Sequence, residues 1–179
     1  MKIYSTRHGE TKWNVENRIV GTTDLTLTEN GVEQAKKLAK MIKKNCNIDQ
    51  IIASPMLRAM QTAQIISDEI DVQIIFDERL REWDYGDYEG MNRHTEGFYE
   101  NKREFGVKMG EKGESLLQLT HRVYSFLDEI IKKYKDKNVL IVSHGGVCRA
   151  IETYFNDMTT EEFSSWFAGN CELLEYNIE

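Results

Sequence analysis

An α/β fold with a largely parallel sheet covered on both faces is predicted by three features of the 179-residue sequence. Short β-rich runs alternate with longer amphipathic segments, which is the pattern of repeated βα units. The amphipathic segments repeat their apolar residues at helical spacing, and no Gly/Ser linker or low-complexity tract divides the chain. A length of this order buries one full core, so a single domain over 1–179 is expected.

The elements follow in order. Strands are expected at about 2–6, 50–53, 73–76 and 139–143, each rich in Ile, Val, Leu or Tyr. Thr28 reads as the N-cap of a helix at 29–45, where Val32, Ala35, Leu38, Ala39 and Ile42 recur on one face. Pro55 sits where the first turn of a helix tolerates it, ahead of Leu57, Met60, Ala63 and Ile66, and predicts a helix at 56–69. The longest helix, 114–135, is marked by Leu116, Leu119, Val123, Leu127, Ile130, Ile131 and Tyr134. Thr160 is taken to cap a short helix at 161–168, and Glu172 to Ile178 to add a last strand. Residues 90–113 are polar and glycine-containing, and read as a partly helical excursion over the sheet edge that either shapes a substrate mouth or merely connects.

Composition narrows the function. With 23 Lys+Arg against 30 Asp+Glu the net charge is −7, and no basic run exceeds a pair, so nucleic acid is not an expected partner. The longest aliphatic run, Val139 to Val142, is far short of a membrane span, and the polar start Met1 to His8 lacks a secretion signal, so a cytoplasmic address is expected. Cys46, Cys148 and Cys171 are odd in number and widely spaced, which predicts reduced thiols and neither disulfides nor a thiolate metal site. Oligomeric state is not legible.

Two of the four histidines, His8 and His144, stand before glycine at the end of a predicted strand. Carboxyl ends of parallel strands line the ligand crevice, so the two imidazoles are expected to meet there. Arg7 and Arg58 supply forked donors for phosphoryl oxygens, and the turn at Gly145-Gly146 lets backbone N–H groups approach an anion at a helix start. A phosphate ester is the expected ligand. A neutral imidazole is a competent nucleophile towards phosphorus, and Glu82, beside an aromatic residue that shields it, is the expected proton donor, with Asp84 second. His8, His144 and Glu82 are also acceptable zinc ligands, but two guanidinium groups beside them oppose a cation. His94, His121, Arg81, Arg93, Arg103 and Arg149 are expected to be surface, packing or ion-paired residues, and Trp13, Trp83 and Trp166 packing residues.

These blocks resemble the histidine phosphatase (phosphoglycerate mutase-like) superfamily almost end to end. Arg7-His8-Gly9-Glu10-Thr11 with Trp13-Asn14 is similar to its R-H-G-E-T-x-W-N signature, and Ser54 to Ala59 with Gln61-Thr62-Ala63 to its S-P-L-x-R-A-x-Q-T-A block. Glu82 with Gly86 to Gly90, Gly113-Glu114-Ser115, and Val142 to Gly146 complete the likeness. Val20, Thr26 and Tyr88 depart from it without touching the chemistry. The resemblance implies a three-layer α/β/α sandwich, no metal or cofactor, phosphorylation of His8, a phosphate pocket of Arg7, Arg58 and His144, Glu82 as proton donor, and Asn14 and Asn170 as secondary contacts. Thr22 is expected to be a substrate-binding residue, with a small phosphorylated metabolite as partner. The sequence after Glu82 differs from the mutase pattern, so the phosphatase branch is expected, with phosphoglycerate mutase-type transfer or a non-catalytic phospho-ligand binder as alternatives.

Overall fold

The computed structural model describes residues 1–178. Its elements are β1 (Lys2–Arg7), α1 (Lys12–Val15), α2 (Glu29–Asn45), β2 (Gln50–Ala53), α3 (Leu57–Ile70), β3 (Ile74–Phe76), α4 (Phe98–Asn101), α5 (Leu116–Lys133), β4 (Val139–Ser143), α6 (Gly145–Phe155), α7 (Thr160–Ser165) and β5 (Leu173–Asn177). The five strands form one sheet in the order β3-β2-β4-β1-β5. Four are parallel, and only β5 runs antiparallel, on the edge beside β1. The expected three layers are present.

Alternation along the strands divides the core. Tyr4, Ile51, Ala53, Leu140 and Val142 pack with Leu38, Ala39 and Ile42 of α2 and Ala59, Ala63 and Ile66 of α3. Ile3, Ile52, Val139 and Ile141 turn to the other face and meet Leu119, Val123, Phe126, Leu127 and Ile130 of α5 with Val147, Ala150 and Ile151 of α6. Sheets covered on both faces read as continuous apolar runs, which is why β4 is buried at every position. Among the described residues no helix is long and apolar enough to cross a membrane.

Several helix ends differ from expectation. Thr28 does cap α2, its hydroxyl accepting from Gly31 N at 3.0 Å. Helix α3 begins at Leu57, so Pro55 precedes the N-cap Met56 instead of opening the first turn. Helix α5 starts after Ser115, whose capping box with Gln118 fixes the boundary two residues inside the expected 114. Thr159, not Thr160, caps α7 through a box with Glu162. That helix stops at Ser165 instead of 168, because Trp166 turns extended and gives its carbonyl to Arg149. The 90–113 excursion contains one helical turn, α4, anchored by the buried Phe98 and Met109.

A close crossing ties the start of α2 to the loop after β1. Thr28 N donates to Glu10 O at 2.9 Å, and a Cβ on Gly31 would stand 2.8 Å from Glu10 N. Only glycine fits without moving backbone beside His8. Gly31→Ala is expected to destabilise the protein by about 1–3 kcal/mol, seen as a lower denaturant midpoint at unchanged m; an unaltered midpoint would show that the crossing yields freely.

Candidate active site

The two strands that end in His-Gly are neighbours in the sheet. Arg7 lies opposite Ser143, and His8 N extends the ladder by donating to Ser143 O at 3.0 Å. His8 and His144 therefore leave the sheet side by side at its carboxyl edge, with ring centroids 5.2 Å apart. Helices α2 and α3 lie on one face and α5 and α6 on the other, so this edge is also where the winding reverses and a crevice opens.

His8 is almost fully buried and its tautomer is fixed. Nδ1 lies 2.7 Å from the carbonyl of Gly9, which can only accept, so Nδ1 carries the proton and Nε2 the lone pair. Arg58 Nε donates to that Nε2 at 3.2 Å, and Asn170 Nδ2 donates to the His8 carbonyl at 2.7 Å. Burial, and then the charges of Arg58 and Arg7, hold the His8 pKa well below the usual imidazole value, so the ring is neutral. His144 is wholly buried, with Nε2 2.7 Å from Ser54 Oγ and no partner for Nδ1. Burial, followed by Arg58, His8 and Arg7, lowers its pKa in the same way.

Arg58 stands on the first turn of α3 and is inaccessible to solvent. Its Nη1 and Nη2 donate to the carbonyls of Thr23 and Gly21 at 2.8 and 2.9 Å. That loop is gathered in turn by Glu89, whose carboxylate accepts from the N–H groups of Gly21, Thr22 and Thr23 at distances of 2.9 to 3.2 Å. Thr22, expected near substrate, is exposed and absent from the cavity wall. Its stretch of chain serves the site through backbone carbonyls that hold Arg58. Glu89 is a contributor that residue-by-residue reading missed, although it lies in the Gly86 to Gly90 block.

Arg7 closes β1, donates from Nη1 to Ala168 O at 3.1 Å and lies under the Phe167 ring, while its Nε has no partner. Burial pushes its pKa down to about 10. Asn14, in α1, accepts from Thr11 N at 3.0 Å and keeps Nδ2 unpartnered. Asn170 stands behind His8 and contacts Asn14 Oδ1 at 3.4 Å. Among the described residues, the buried side-chain polar atoms lacking partners are Ser5 Oγ, Arg7 Nε, Asn14 Nδ2 and His144 Nδ1, and the last three belong to this site. Buried polar atoms are rarely left unpaired, and the neighbouring N–H donors Arg7 Nε and Asn14 Nδ2 suit an anion.

Glu82 lines the same cavity. Its Oε1 accepts from Trp83 N at 2.8 Å and Gly146 N at 2.9 Å, and a Cβ on Gly146 would come within 2.6 Å of it. The carboxylate is thus locked at the start of α6, with Oε2 the freer oxygen. Asp84 instead bonds Gly86 N at 2.9 Å and does not line the cavity. Trp83 is a core residue whose indole donates to Glu114 O, as expected of a packing residue. Exposed His94 and His121 take no part, and the three cysteines are free.

The cavity above these groups is about 410 Å³, lined by Arg7, His8, Asn14 and Glu82 and walled by Arg93, Phe98, Tyr99, Lys102, Arg149 and Phe167. Arg93 and Arg149, expected at the surface or ion-paired, are here because the 90–113 excursion and α6 fold over the crevice. Arg149 is nearly buried and donates to Trp166 O at 3.1 and 2.7 Å. Burial, then the charges of Arg149 and Arg93, lower the Lys102 pKa to about 6.

The chain is similar to known proteins over most of its length. The family model for the histidine phosphatase superfamily (branch 1) matches residues 3–179. A probable phosphoglycerate mutase of Enterobacter sp. (strain 638) is 38% identical over 153 residues, covering 81% of this chain and 70% of its own. A putative phosphoserine phosphatase of Hydrogenobacter thermophilus is 34% identical over 185 residues, covering 99% and 90%. The crystal structure of a phosphoserine phosphatase from Entamoeba histolytica in complex with 3-phosphoglyceric acid superposes with a TM-score of 0.86 at 30% identity, over 97% of this chain and 89% of that one.

Protonation of the two histidines is linked to stability, and is expected to be linked to anion binding as well. The folded pKa values of His8 and His144 lie below the unfolded value of about 6.5, so in between the unfolded chain binds more protons and stability falls on acidification below about 6.5. A bound dianion favours the imidazolium form and opposes this loss. Sulfate, which does not titrate in this range, is therefore expected to raise the melting temperature more at about pH 6 than at about pH 8. An equal or smaller rise at the lower pH would contradict the neutral, anion-facing assignment.

Proposed function

Because the chain belongs to the histidine phosphatase superfamily, we propose that it is a metal-independent phosphatase that hydrolyses small phosphomonoesters through a phosphohistidine at His8. The observation that carries this is the His8 ring, neutral, buried, with the proton held on Nδ1 by Gly9 O and the Nε2 lone pair beside Arg58.

In this reading the ester phosphate binds between Arg7, Arg58, Asn14 and His144. The Arg58 N–H that bonds Nε2 at 3.2 Å turns to a phosphoryl oxygen and frees the lone pair. His8 Nε2 attacks phosphorus, the P–O bond to the alcohol breaks, and protonated Glu82 hands its proton to the departing oxygen. Water then attacks the phosphohistidine, the P–N bond breaks, Glu82 takes the water's proton, and inorganic phosphate leaves with His8 restored. Two guanidinium groups and the His144 ring stabilise charge on the equatorial oxygens, and burial strengthens each contact. Asn170 acts on the nucleophile's backbone carbonyl, and Gly146 on Glu82, so both are positioning residues.

The mutase name of the Enterobacter relative supports a second reading, in which a hydroxyl of the substrate instead of water takes the phosphoryl group. A panel of esters assayed with excess chelator separates the two: inorganic phosphate is released under hydrolysis, and phosphoglycerate isomers interconvert without release under transfer. His8→Ala is expected to lower turnover about a thousandfold or more. Glu82→Gln is expected to lower it by about 10²–10⁴ for alkyl phosphates and far less for p-nitrophenyl phosphate, whose leaving group needs no proton. Loss of activity on chelation, or equal sensitivity of both ester types to Glu82→Gln, would count against this mechanism.

A further inference from the structure

Glu82 lies on a stretch of chain that neither a strand nor a helix supports. Residues 81–85 are irregular, between single helical turns at 78–80 and 86–88. The carbonyls here have no sheet ladder to join and must find partners elsewhere. Ser143, the last residue of β4, gives its hydroxyl to Leu80 O at 2.8 Å. The other supports come from Arg122 of α5 and from Glu114, just ahead of the Ser115 cap of that helix.

Arg122 spreads its guanidinium over three groups. Nη1 donates to Arg79 O at 2.6 Å and Nη2 to Glu82 O at 3.2 Å. Nε and Nη2 together fork the Glu114 carboxylate at 2.7 and 2.9 Å. Glu114 in turn grips the same stretch through its main chain, donating from N to Asp84 O at 2.9 Å and accepting from the Trp83 indole at 2.8 Å. With side chains only 20% and 16% exposed, this pair is held more firmly than a surface ion pair, and its two-point geometry fixes direction as well as distance. Arg122 does not line the cavity, and its charge is met by Glu114, so it is not one of the anion ligands.

The main chain of the acid is therefore held from α5 while its Oε1 is held by Trp83 N and Gly146 N. With both ends of the side chain fixed, the place of the freer oxygen Oε2 is fixed too. Resting on the reading of Glu82 as proton donor, we propose that Arg122, oriented by Glu114, is a positioning residue for that donation: it holds the backbone from which Glu82 reaches the leaving-group oxygen. Lysine keeps the charge but cannot bridge two carbonyls and a carboxylate at once. Displacement of an acid by a fraction of its bond length is enough to slow proton transfer, while nucleophilic attack by His8 is left alone.

The test is the ratio of kcat/KM for phosphoserine, an alkyl ester that needs a proton on departure, to that for p-nitrophenyl phosphate, which does not. A fraction of misfolded protein lowers both values equally and cancels from the ratio. Arg122→Lys is expected to lower the ratio about tenfold or more, and Glu114→Gln about threefold or more. On a Glu82→Gln background Arg122→Lys is expected to lower it by less than about twofold, because the group it positions is gone. A ratio unaltered in Arg122→Lys or in Glu114→Gln, or a drop repeated in full on Glu82→Gln, would overturn the positioning role and leave the phosphatase reading standing. A ratio unaltered in Glu82→Gln alone would overturn the proton-donor reading, and the role of Arg122 with it.

Discussion

The parallel pairing of β1 with β4 is the constraint from which the site follows. With Arg7 opposite Ser143, the next residue of each strand is a histidine, and the bond from His8 N to Ser143 O carries the register one step past the sheet. A slip of one residue would turn one imidazole into the opposite layer. The register is secured by two apolar faces, because Val139 and Ile141 pack under α5 and α6 while Leu140 and Val142 pack under α2 and α3. Core packing and catalytic geometry are in this sense one requirement.

Around that pair the protein concentrates arginines that have no carboxylate ion-pair partner among the described residues. Arg58 is held by backbone carbonyls of Gly21 and Thr23, Arg7 by Ala168 O and Arg149 by Trp166 O. Carbonyls fix a guanidinium in place but do not neutralise it, so the charge stays available to a ligand. Glu89 acts at one remove, drawing together the N–H groups of the loop that grips Arg58. The net charge of −7 is therefore a poor guide to the site, where the local field is positive and shielded from salt.

Legibility in the sequence tracked how local each cause was. The cap at Thr28 and the apolar stripe of α5 are short-range patterns, and both stand where periodicity placed them to within two or three residues. His8 and His144 were legible as strand-end residues because a general property of parallel sheets brings such ends together. The 90–113 segment was not, since it has one turn of helix and owes its course to Phe98 against Tyr85 and Tyr88. Arg93 and Lys102 reach the cavity wall only through that course. Thr22 misled for a related reason: the chain there matters through its carbonyls, which no side-chain reading reveals. The antiparallel direction of β5 was likewise hidden, because an edge strand of mixed burial carries no mark of its orientation.

The central claim is that His8 Nε2, kept neutral by burial and by Arg58 and Arg7 and aimed by Gly9 O and the β1–β4 register, accepts the phosphoryl group. Rapid quenching into alkali during turnover of a phosphomonoester, followed by peptide mass spectrometry and phosphorus NMR, tests it most directly. The account predicts an acid-labile, base-stable phosphate on His8, attached at Nε2 and formed at least as fast as the steady-state rate. A phosphate found on His144, attachment at Nδ1 of His8, or turnover without any phosphoenzyme would contradict it.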